Sequence, residues 1–272
     1  MAGDSSVECR GPRSGAYPGP VAEPDLVPGT PATGDGATSA PLPEPGWGFG
    51  DAALGFVVSL VLGQVVGAIV VALSGETDTD NLSIGWMALA NTGLWAGFVG
   101  WSWLVARRKG NGLVRDFGLR IEARDVPVGV FWGLVSQFVI VPLIYLPIIQ
   151  FTSLTWDDVS EPARDLSDRA SGPVGVALLV LFVGICAPIC EEIFYRGLVL
   201  RSLERSIGLW PGIVATGVIF GAAHLQPIQF LPLAVFGAVL SWLVIRTGRL
   251  GVSIAAHMTF NMLAVVTLLG NR

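Results

Sequence analysis

Long runs of apolar residues constrain this chain more than any other feature, because they recur from Trp47 almost to the C-terminus. Several of them reach about 20 residues, the length that a helix needs to cross the hydrocarbon core of a bilayer. Between Ser206 and Ile245 there is no Asp, Glu, Lys or Arg. Charged residues are 14% of the chain, whereas soluble domains average about 25%. The sequence therefore predicts an all-α, polytopic membrane protein.

The apolar runs predict about seven transmembrane helices, near residues 51–74, 83–106, 126–149, 173–203, 209–225, 228–246 and 251–269. Residues 1–46 precede them and hold nine of the eighteen prolines, together with many Gly, Ser and Thr residues. Such a composition cannot bury enough apolar surface to offset the entropy of ordering the chain. We therefore predict a disordered tail over residues 1–46 and a helical transmembrane domain over residues 47–272.

Positive charge in the loops predicts the orientation in the membrane. The loop after the second helix is basic, whereas residues 75–82 contain only acidic charges (Glu76, Asp78 and Asp80). We therefore expect the N-terminal tail and the basic loop to be cytoplasmic. Residues 113–124 are expected to form a short amphipathic segment on that surface, and residues 152–172 a polar connection on the opposite side. Arg201, Arg205, Arg246 and Arg249 would flank two further cytoplasmic hairpins.

The expected environment is a bacterial plasma membrane, with lipids as direct neighbours. Lys109 is the single lysine beside fifteen arginines, a bias associated with GC-rich genomes. No basic face indicates nucleic acid as a partner. The peptide or lipidated protein that such a chain would act on has to be inferred from its site residues.

Six polar or ionisable residues lie inside the apolar segments, where such groups are costly and mark a functional site. They are Glu191, Glu192, Arg196, His224, His257 and Asn261. Glu192 and Arg196 are four residues apart, which places them on one helix face and allows them to pair. Pro188 removes one backbone hydrogen bond, and in an α-helix the carbonyl that it frees is that of Gly184.

The depths of these residues follow from their distances to the nearest turn. Glu191 and His224 each lie about fifteen residues from the turn at Ile207–Trp210, so both should sit about 22 Å from it. We therefore expect them to meet across that helix pair, with Phe220 packed beside His224. His257 would lie only about 10 Å from its own turn. The two depths agree if the hairpin at Ile207–Trp210 projects into the cytoplasm and the site lies in the cytoplasmic half of the membrane.

Two chemistries fit this set of residues, and the sequence does not choose between them. In one, Glu191 and His224 activate a water molecule while His257 and Asn261 stabilise an oxyanion. In the other, His224 and His257 bind a divalent metal such as zinc, with an open position for water. The His-Glu-x-x-His pattern of common zinc proteases is absent from the chain.

Three motifs in order resemble one protein family. CEEIFYRG (190–197) matches Glu-Glu-x-x-x-Arg, FGAAH (220–224) matches Phe-x-x-x-His and HMTFN (257–261) matches His-x-x-x-Asn. This order resembles the CPBP family of intramembrane endopeptidases, which includes the type II CAAX prenyl proteases and the bacteriocin-processing Abi proteins. The resemblance implies a catalytic core over residues 173–269, with Glu191 as the catalytic glutamate. It also implies that Glu192 and Arg196 support Glu191, that His224 assists the water or binds metal, and that His257 and Asn261 act on the oxyanion or complete the metal shell.

Three other functions are compatible with the same residues. Glu191, Glu192 and the histidines could form the proton or ion relay of a transporter, although no inverted repeat is evident in the sequence. His224 and His257 could be the axial ligands of a haem. The chain could also be a non-catalytic membrane scaffold of the same family.

Overall fold

The described part of the chain is a set of packed helices, as the apolar segments predict. In this computed structural model residues 43–77 and 82–270 are described, and they contain no strand. The helices in chain order are α1 (Phe49–Ser74), α2 (Ile84–Lys109), α3 (Leu113–Asp116), α4 (Asp125–Phe151), α5 (Trp156–Asp168), α6 (Gly172–Ile207), α7 (Leu209–Ala223), α8 (Pro227–Thr247) and α9 (Leu250–Gly270). The predicted all-α fold is confirmed.

All seven helices predicted as transmembrane are present within a few residues of their expected ends. Among the described residues, α1, α4, α6, α8 and α9 are long and apolar enough to cross a membrane, and α7 is apolar but shorter. Helix α2 has 26 residues, but its Gly, Asn, Thr and Trp residues lower its mean hydropathy. The predicted disordered tail lies outside the described residues up to position 42, and so do Asp78 and Asp80.

Residues 113–124, predicted to be a short amphipathic segment, are helical only over the four residues of α3. Phe117 is fully buried, whereas Val114 and Ile121 are exposed. The next residues cap the start of α9, where the backbone N–H groups of Leu250 and Gly251 donate to the carbonyls of Gly118 and Arg120 at 2.8 and 3.2 Å. The first N–H groups of a helix have no partner within it, so these bonds hold the segment against the start of α9.

The polar segment between α4 and α6 contains a capped helix. At the start of α5, the Thr155 N–H donates to Asp158 Oδ2 at 2.7 Å and the Asp158 N–H donates to Thr155 Oγ1 at 3.3 Å. The Thr155 hydroxyl group holds the pKa of the Asp158 carboxyl below its usual range. Reciprocal bonds of this kind satisfy orphan backbone donors, which explains why a short polar segment forms a helix here.

Pairs of glycines four residues apart allow three pairs of helices to pack closely. A Cβ on either glycine of a pair would lie between 2.4 and 2.7 Å from an atom of the facing helix. Close approach through small residues drives helix association in membranes, where apolar burial alone gives little advantage. The pairs are Gly93 and Gly97 of α2 facing α1, Gly129 and Gly133 of α4 facing α9, and Gly217 and Gly221 of α7 facing α8.

A buried ion pair joins the start of α4 to the turn before α9. Arg249 Nη2 donates to Asp125 Oδ1 at 2.6 Å, and Arg249 Nε lies within 3.2 Å of both carboxylate oxygens. Arg249 lies in the hairpin between α8 and α9, as the sequence predicts, and only 6% of its surface is exposed. The hydrogen bond to Asp125 raises the pKa of Arg249 above its usual value, and the pair locks α4 to the helix that carries His257.

The segment before α1 crosses the end of α6. Arg205 Nη1 and Nη2 donate to the carbonyls of Pro45 and Trp47 at 3.2 and 2.9 Å. The guanidinium group of Arg205 also lies 3.9 Å from the centre of the Trp47 ring, a cation–π arrangement. Residues 43–48 therefore tie the N-terminal side of the domain to the helix that carries both glutamates.

The glycine pair in α4 gives a direct test of the packing. We expect Gly133→Ala to lower the free energy of unfolding by about 1–3 kcal/mol, because its Cβ would lie 2.7 Å from the Ala256 carbonyl oxygen. The matched control is Gly67→Ala in α1, where a Cβ meets nothing within 4 Å. Thermal unfolding in detergent measures both, and equal stability of the two variants would contradict the account.

Candidate active site

Helix α6 leaves regular α-helical geometry on both sides of its glutamates. It is π-helical over Val180–Cys186 and again over Glu192–Val199. π-helical turns are rare and frequently occur at functional sites. Glu191 ends the short α-helical stretch between them, so the two adjacent carboxylates lie where the helix changes its winding.

Glu192 and Arg196 form a buried ion pair, as their spacing predicts. Arg196 Nη1 donates to Glu192 Oε1 at 2.8 Å, and both side chains are completely buried. Arg196 Nη2 donates to the Gly237 carbonyl of α8 at 3.1 Å, and the guanidinium group lies 4.4 Å from the centre of the Phe220 ring. Neither Gly237 nor Phe220 was predicted to contact the arginine, because nothing in the sequence indicates which helix faces it.

His257 lies between the two glutamates. Its Nδ1 is 2.9 Å from Glu192 Oε1, and its Nε2 is 3.9 Å from Glu191 Oε2. The rings of Phe220 and Phe236 contact the imidazole edge-on, with centroid distances of 5.6 and 5.5 Å. A carboxylate that is paired with arginine can only accept a hydrogen bond, so we assign the proton of neutral His257 to Nδ1. The unprotonated Nε2 then faces Glu191.

His224 lies at the end of α7, beside Phe220 as predicted. Its Nδ1 donates to the Phe220 carbonyl at 2.8 Å, and the two ring centroids are 4.8 Å apart. The next residue, Leu225, has a positive φ of 54° and is 88% exposed. Left-handed backbone is unfavourable for a branched side chain and is often found at functional sites, so the chain turns sharply after the imidazole.

The imidazole within ion-pair distance of Glu191 is that of His257 and not that of His224, among the residues that the structure describes. His224 is connected to the cluster through the Phe220 ring, which contacts both imidazoles. Glu191 and His257 therefore share a depth although Glu191 is about eight residues further from its turn. At 1.5 Å per residue the α6–α7 hairpin would extend about 12 Å beyond the α8–α9 turn, which agrees with the projecting hairpin that the sequence predicts.

Asn261 lies one turn after His257 and binds α6 at a different level. Its Nδ2 donates to the Val183 carbonyl at 2.8 Å. Val183 belongs to the first π-helical stretch of α6, two turns before the glutamates. The six residues singled out from the sequence therefore form one connected group, in which Asn261 contacts backbone and the other five lie around Phe220 and the carboxylates.

The metal site considered for His224 and His257 has no third ligand grouped with it. Within residues 43–77 and 82–270 no three His, Cys, Asp or Glu side chains are grouped as metal ligands. Nδ1 of His257 faces Glu192 and Nδ1 of His224 faces a carbonyl, which leaves Nε2 of each imidazole open. The reaction proposed below therefore uses only side chains of the protein and water.

Comparison with known proteins identifies the segment that contains these residues. Residues 173–263 match the family model described as type II CAAX prenyl endopeptidase Rce1-like. These residues form an Rce1-like domain. The resemblance inferred from the three motifs is confirmed, and the Rce1-like domain includes all six candidate residues from Glu191 to Asn261.

Three curated relatives share part of the chain. The protein named "Putative membrane peptidase YdiL" from Bacillus subtilis (strain 168) is 32% identical over 92 residues, which are 34% of this chain and 37% of the relative. CAAX prenyl protease 2 of Homo sapiens is 25% identical over 183 residues, 59% of this chain and 54% of the relative. An "Uncharacterized 24.3 kDa protein" of Escherichia coli is 31% identical over 105 residues, 37% of this chain and 48% of the relative.

The matches span only 37% to 54% of the length of these relatives. No solved structure matches the chain significantly. The comparisons therefore establish the Rce1-like domain, and the activity has to be argued from the site.

The contribution of the Glu192–Arg196 pair to the free energy of unfolding can be tested by removing one charge and then both. We expect Arg196→Met to lower the free energy of unfolding by about 3–5 kcal/mol, because it leaves the Glu192 carboxylate buried without a cation. Adding Glu192→Gln should recover part of this loss, since the amide oxygen can still accept from His257.

The control is the partly exposed pair Arg201 and Glu204 on the same helix, 3.3 Å apart. Its double variant should cost less than about 1 kcal/mol. Reversible unfolding in mixed detergent micelles measures all variants. A double variant Glu192→Gln/Arg196→Met that is less stable than Arg196→Met alone would contradict the account.

Proposed function

We propose that this chain is an intramembrane endopeptidase that hydrolyses peptide bonds in membrane-associated or lipidated proteins and peptides. The observation that carries the proposal is the placement of Glu191 opposite Nε2 of His257 at 3.9 Å. The Glu191 side chain is 17% exposed, whereas Glu192 and Arg196 are completely buried. Glu191 is therefore the carboxylate of this cluster that a substrate and a water molecule can reach.

The buried pair orients the imidazole in this proposal. Arg196 keeps Glu192 ionised and fixed, and Glu192 accepts the Nδ1 proton of His257. A carboxylate behind a histidine sets its tautomer and ring orientation in the same way in other hydrolytic sites. Glu192 and Arg196 thus act through His257 and are positioning residues, and they do not meet the substrate.

The gap between Glu191 and His257 fits the attacking water. For a water molecule about 2.8 Å from both Glu191 Oε2 and His257 Nε2, the angle at the water oxygen between these two atoms is about 90°. That angle is close to the angle between the two O–H bonds of water, so both protons can point at acceptors. The lone pairs of the oxygen then face away from the cluster, toward the scissile carbonyl.

Glu191 is the general base in the proposed reaction. As the water oxygen bonds to the carbonyl carbon, its proton passes to Glu191 and the carbonyl oxygen becomes an oxyanion. Glu191 then gives this proton to the leaving amine while the C–N bond breaks, so the carboxylate is regenerated. The oxyanion would be met by His224 when it is protonated, whereas the Asn261 amide is held on the Val183 carbonyl, two turns before the glutamates.

The location of the carboxylates favours a substrate held in the membrane. A lipid anchor concentrates its peptide at the bilayer, and each buried methylene of the anchor adds about 0.8 kcal/mol of binding. One relative is named a CAAX prenyl protease, and prenylated C-terminal peptides are accordingly the first substrate class to test. We propose this substrate class on the combined basis of that similarity and the position of Glu191 in an apolar helix.

The catalytic role of Glu191 predicts a loss of activity without a loss of fold. With protein in liposomes and a fluorogenic prenylated peptide, Glu191→Gln should reduce kcat/KM by at least about 100-fold, while its Tm stays near that of the unsubstituted protein. Glu204→Gln, near the C-terminal end of the same helix and thirteen residues from Glu191, should retain activity. Full cleavage by Glu191→Gln would reject the proposal, and ion flux lost in the same variant would favour a transporter.

Metal dependence separates the two hydrolytic mechanisms. Because water is held by Glu191 and His257 in this proposal, we expect cleavage to persist after treatment with a chelator. Elemental analysis of purified protein should show no stoichiometric divalent metal that disappears in both His224→Ala and His257→Ala. Zinc bound at one equivalent and lost in both variants would instead establish a metalloprotease.

A further inference from the structure

A backbone carbonyl in α6 lacks its helical donor. In the π-helical stretch Val180–Cys186 each N–H bonds five residues back, and the last such bond runs from Ala187 N–H to the Phe182 carbonyl. The next bond in this register would join residue 188 to the Val183 carbonyl. Residue 188 is proline, which has no N–H. In this π register Pro188 stands opposite the Val183 carbonyl, whereas in an α-helix it would stand opposite that of Gly184.

The donor that this carbonyl receives comes from another helix. Asn261 of α9 donates its Nδ2 hydrogen to the Val183 oxygen at 2.8 Å. We propose that Asn261 is a positioning residue whose amide replaces the N–H that Pro188 lacks, and that this bond sets the register of α9 against α6. A polar backbone group inside a membrane has no water to bind, so a side-chain replacement of this kind is strongly favoured.

The surrounding packing supports a fixed register at this point. Gly184, the residue after Val183, faces Met262, the residue after Asn261. A Cβ on Gly184 would lie 2.6 Å from the Met262 sulfur atom, so the Met262 side chain occupies the space that glycine leaves open. Gly184 of α6 and the Asn261 amide of α9 therefore lie at the same level of the contact between these two helices.

This contact acts together with the catalytic one. Glu191 meets His257 at one level, and Val183 meets Asn261 at another. Because α6 and α9 run in opposite directions, two contact points fix both their separation and their sliding. The 3.9 Å gap that holds the proposed water is thus determined in part by a hydrogen bond two turns away. This consequence rests on the proposed function, whereas the hydrogen bond itself does not.

The test is to return the missing N–H to the backbone. Asn261→Ala should lower Tm by about 3–8 °C, because it leaves the Val183 carbonyl without a donor in an apolar helix. Pro188→Ala supplies an N–H in the π register, so the double variant Pro188→Ala/Asn261→Ala should regain most of the lost Tm. The matched control is Pro147→Ala/Asn261→Ala, because Pro147 also lies inside an apolar helix but is far from the Val183 carbonyl in the chain.

The activity of the same variants separates positioning from direct catalysis. We expect kcat toward the prenylated peptide to fall in Asn261→Ala and to recover at least tenfold in Pro188→Ala/Asn261→Ala. A Tm that recovers without any recovery of kcat would overturn the positioning role and leave the amide as a catalytic group. No recovery of Tm, or equal recovery with Pro147→Ala, would overturn the hydrogen-bond replacement. If the unsubstituted protein cleaves nothing, the proposed function fails while the Tm comparison still decides the inference.

Discussion

The buried ion pair of Glu192 and Arg196 is the interaction on which the site depends. Two charges without solvent contact are stable only when their geometry and further hydrogen bonds compensate for desolvation. Here Arg196 also binds the Gly237 carbonyl and stacks on Phe220, while Glu192 accepts from His257. The pair therefore connects α6 with α7, α8 and α9. Because Glu192 also needs a donor, it fixes the orientation of the His257 imidazole, with Nδ1 toward Glu192 and Nε2 toward Glu191.

The rest of the fold holds these four helices at fixed distances. The glycine pairs let backbones approach each other without side chains between them, and the pair Asp125–Arg249 joins the start of α4 to the turn before α9. Phe220 serves three partners at once, since its ring contacts Arg196, His224 and His257. A rigid scaffold of this kind explains how a carboxylate can remain partly exposed beside a buried pair, which is what general base catalysis requires.

Much of this organisation could be predicted from the sequence, and the failures have physical causes. Apolar length predicted the helices, and the four-residue spacing predicted the pairing of Glu192 with Arg196. The partner of Glu191 could not be predicted by counting residues from a turn, because α6 changes its winding twice and its side chains rotate away from the α-helical register. The same shift places Pro188 in register with the Val183 carbonyl, a pairing that α-helical spacing does not predict. Asp125 and Arg249 are 124 residues apart, so their pairing depends on tertiary packing alone.

The protonation of His257 is the most direct test of the account. The chain has only two histidines, so nitrogen-15 NMR of histidine-labelled protein in detergent yields two imidazoles to assign, with His224→Ala identifying each. The account predicts that neutral His257 carries its proton on Nδ1 and that Glu192→Gln shifts the nitrogen resonances of His257 while those of His224 stay in place. A His257 protonated on Nε2, or one that does not respond to Glu192→Gln, would contradict the proposed arrangement of the water site.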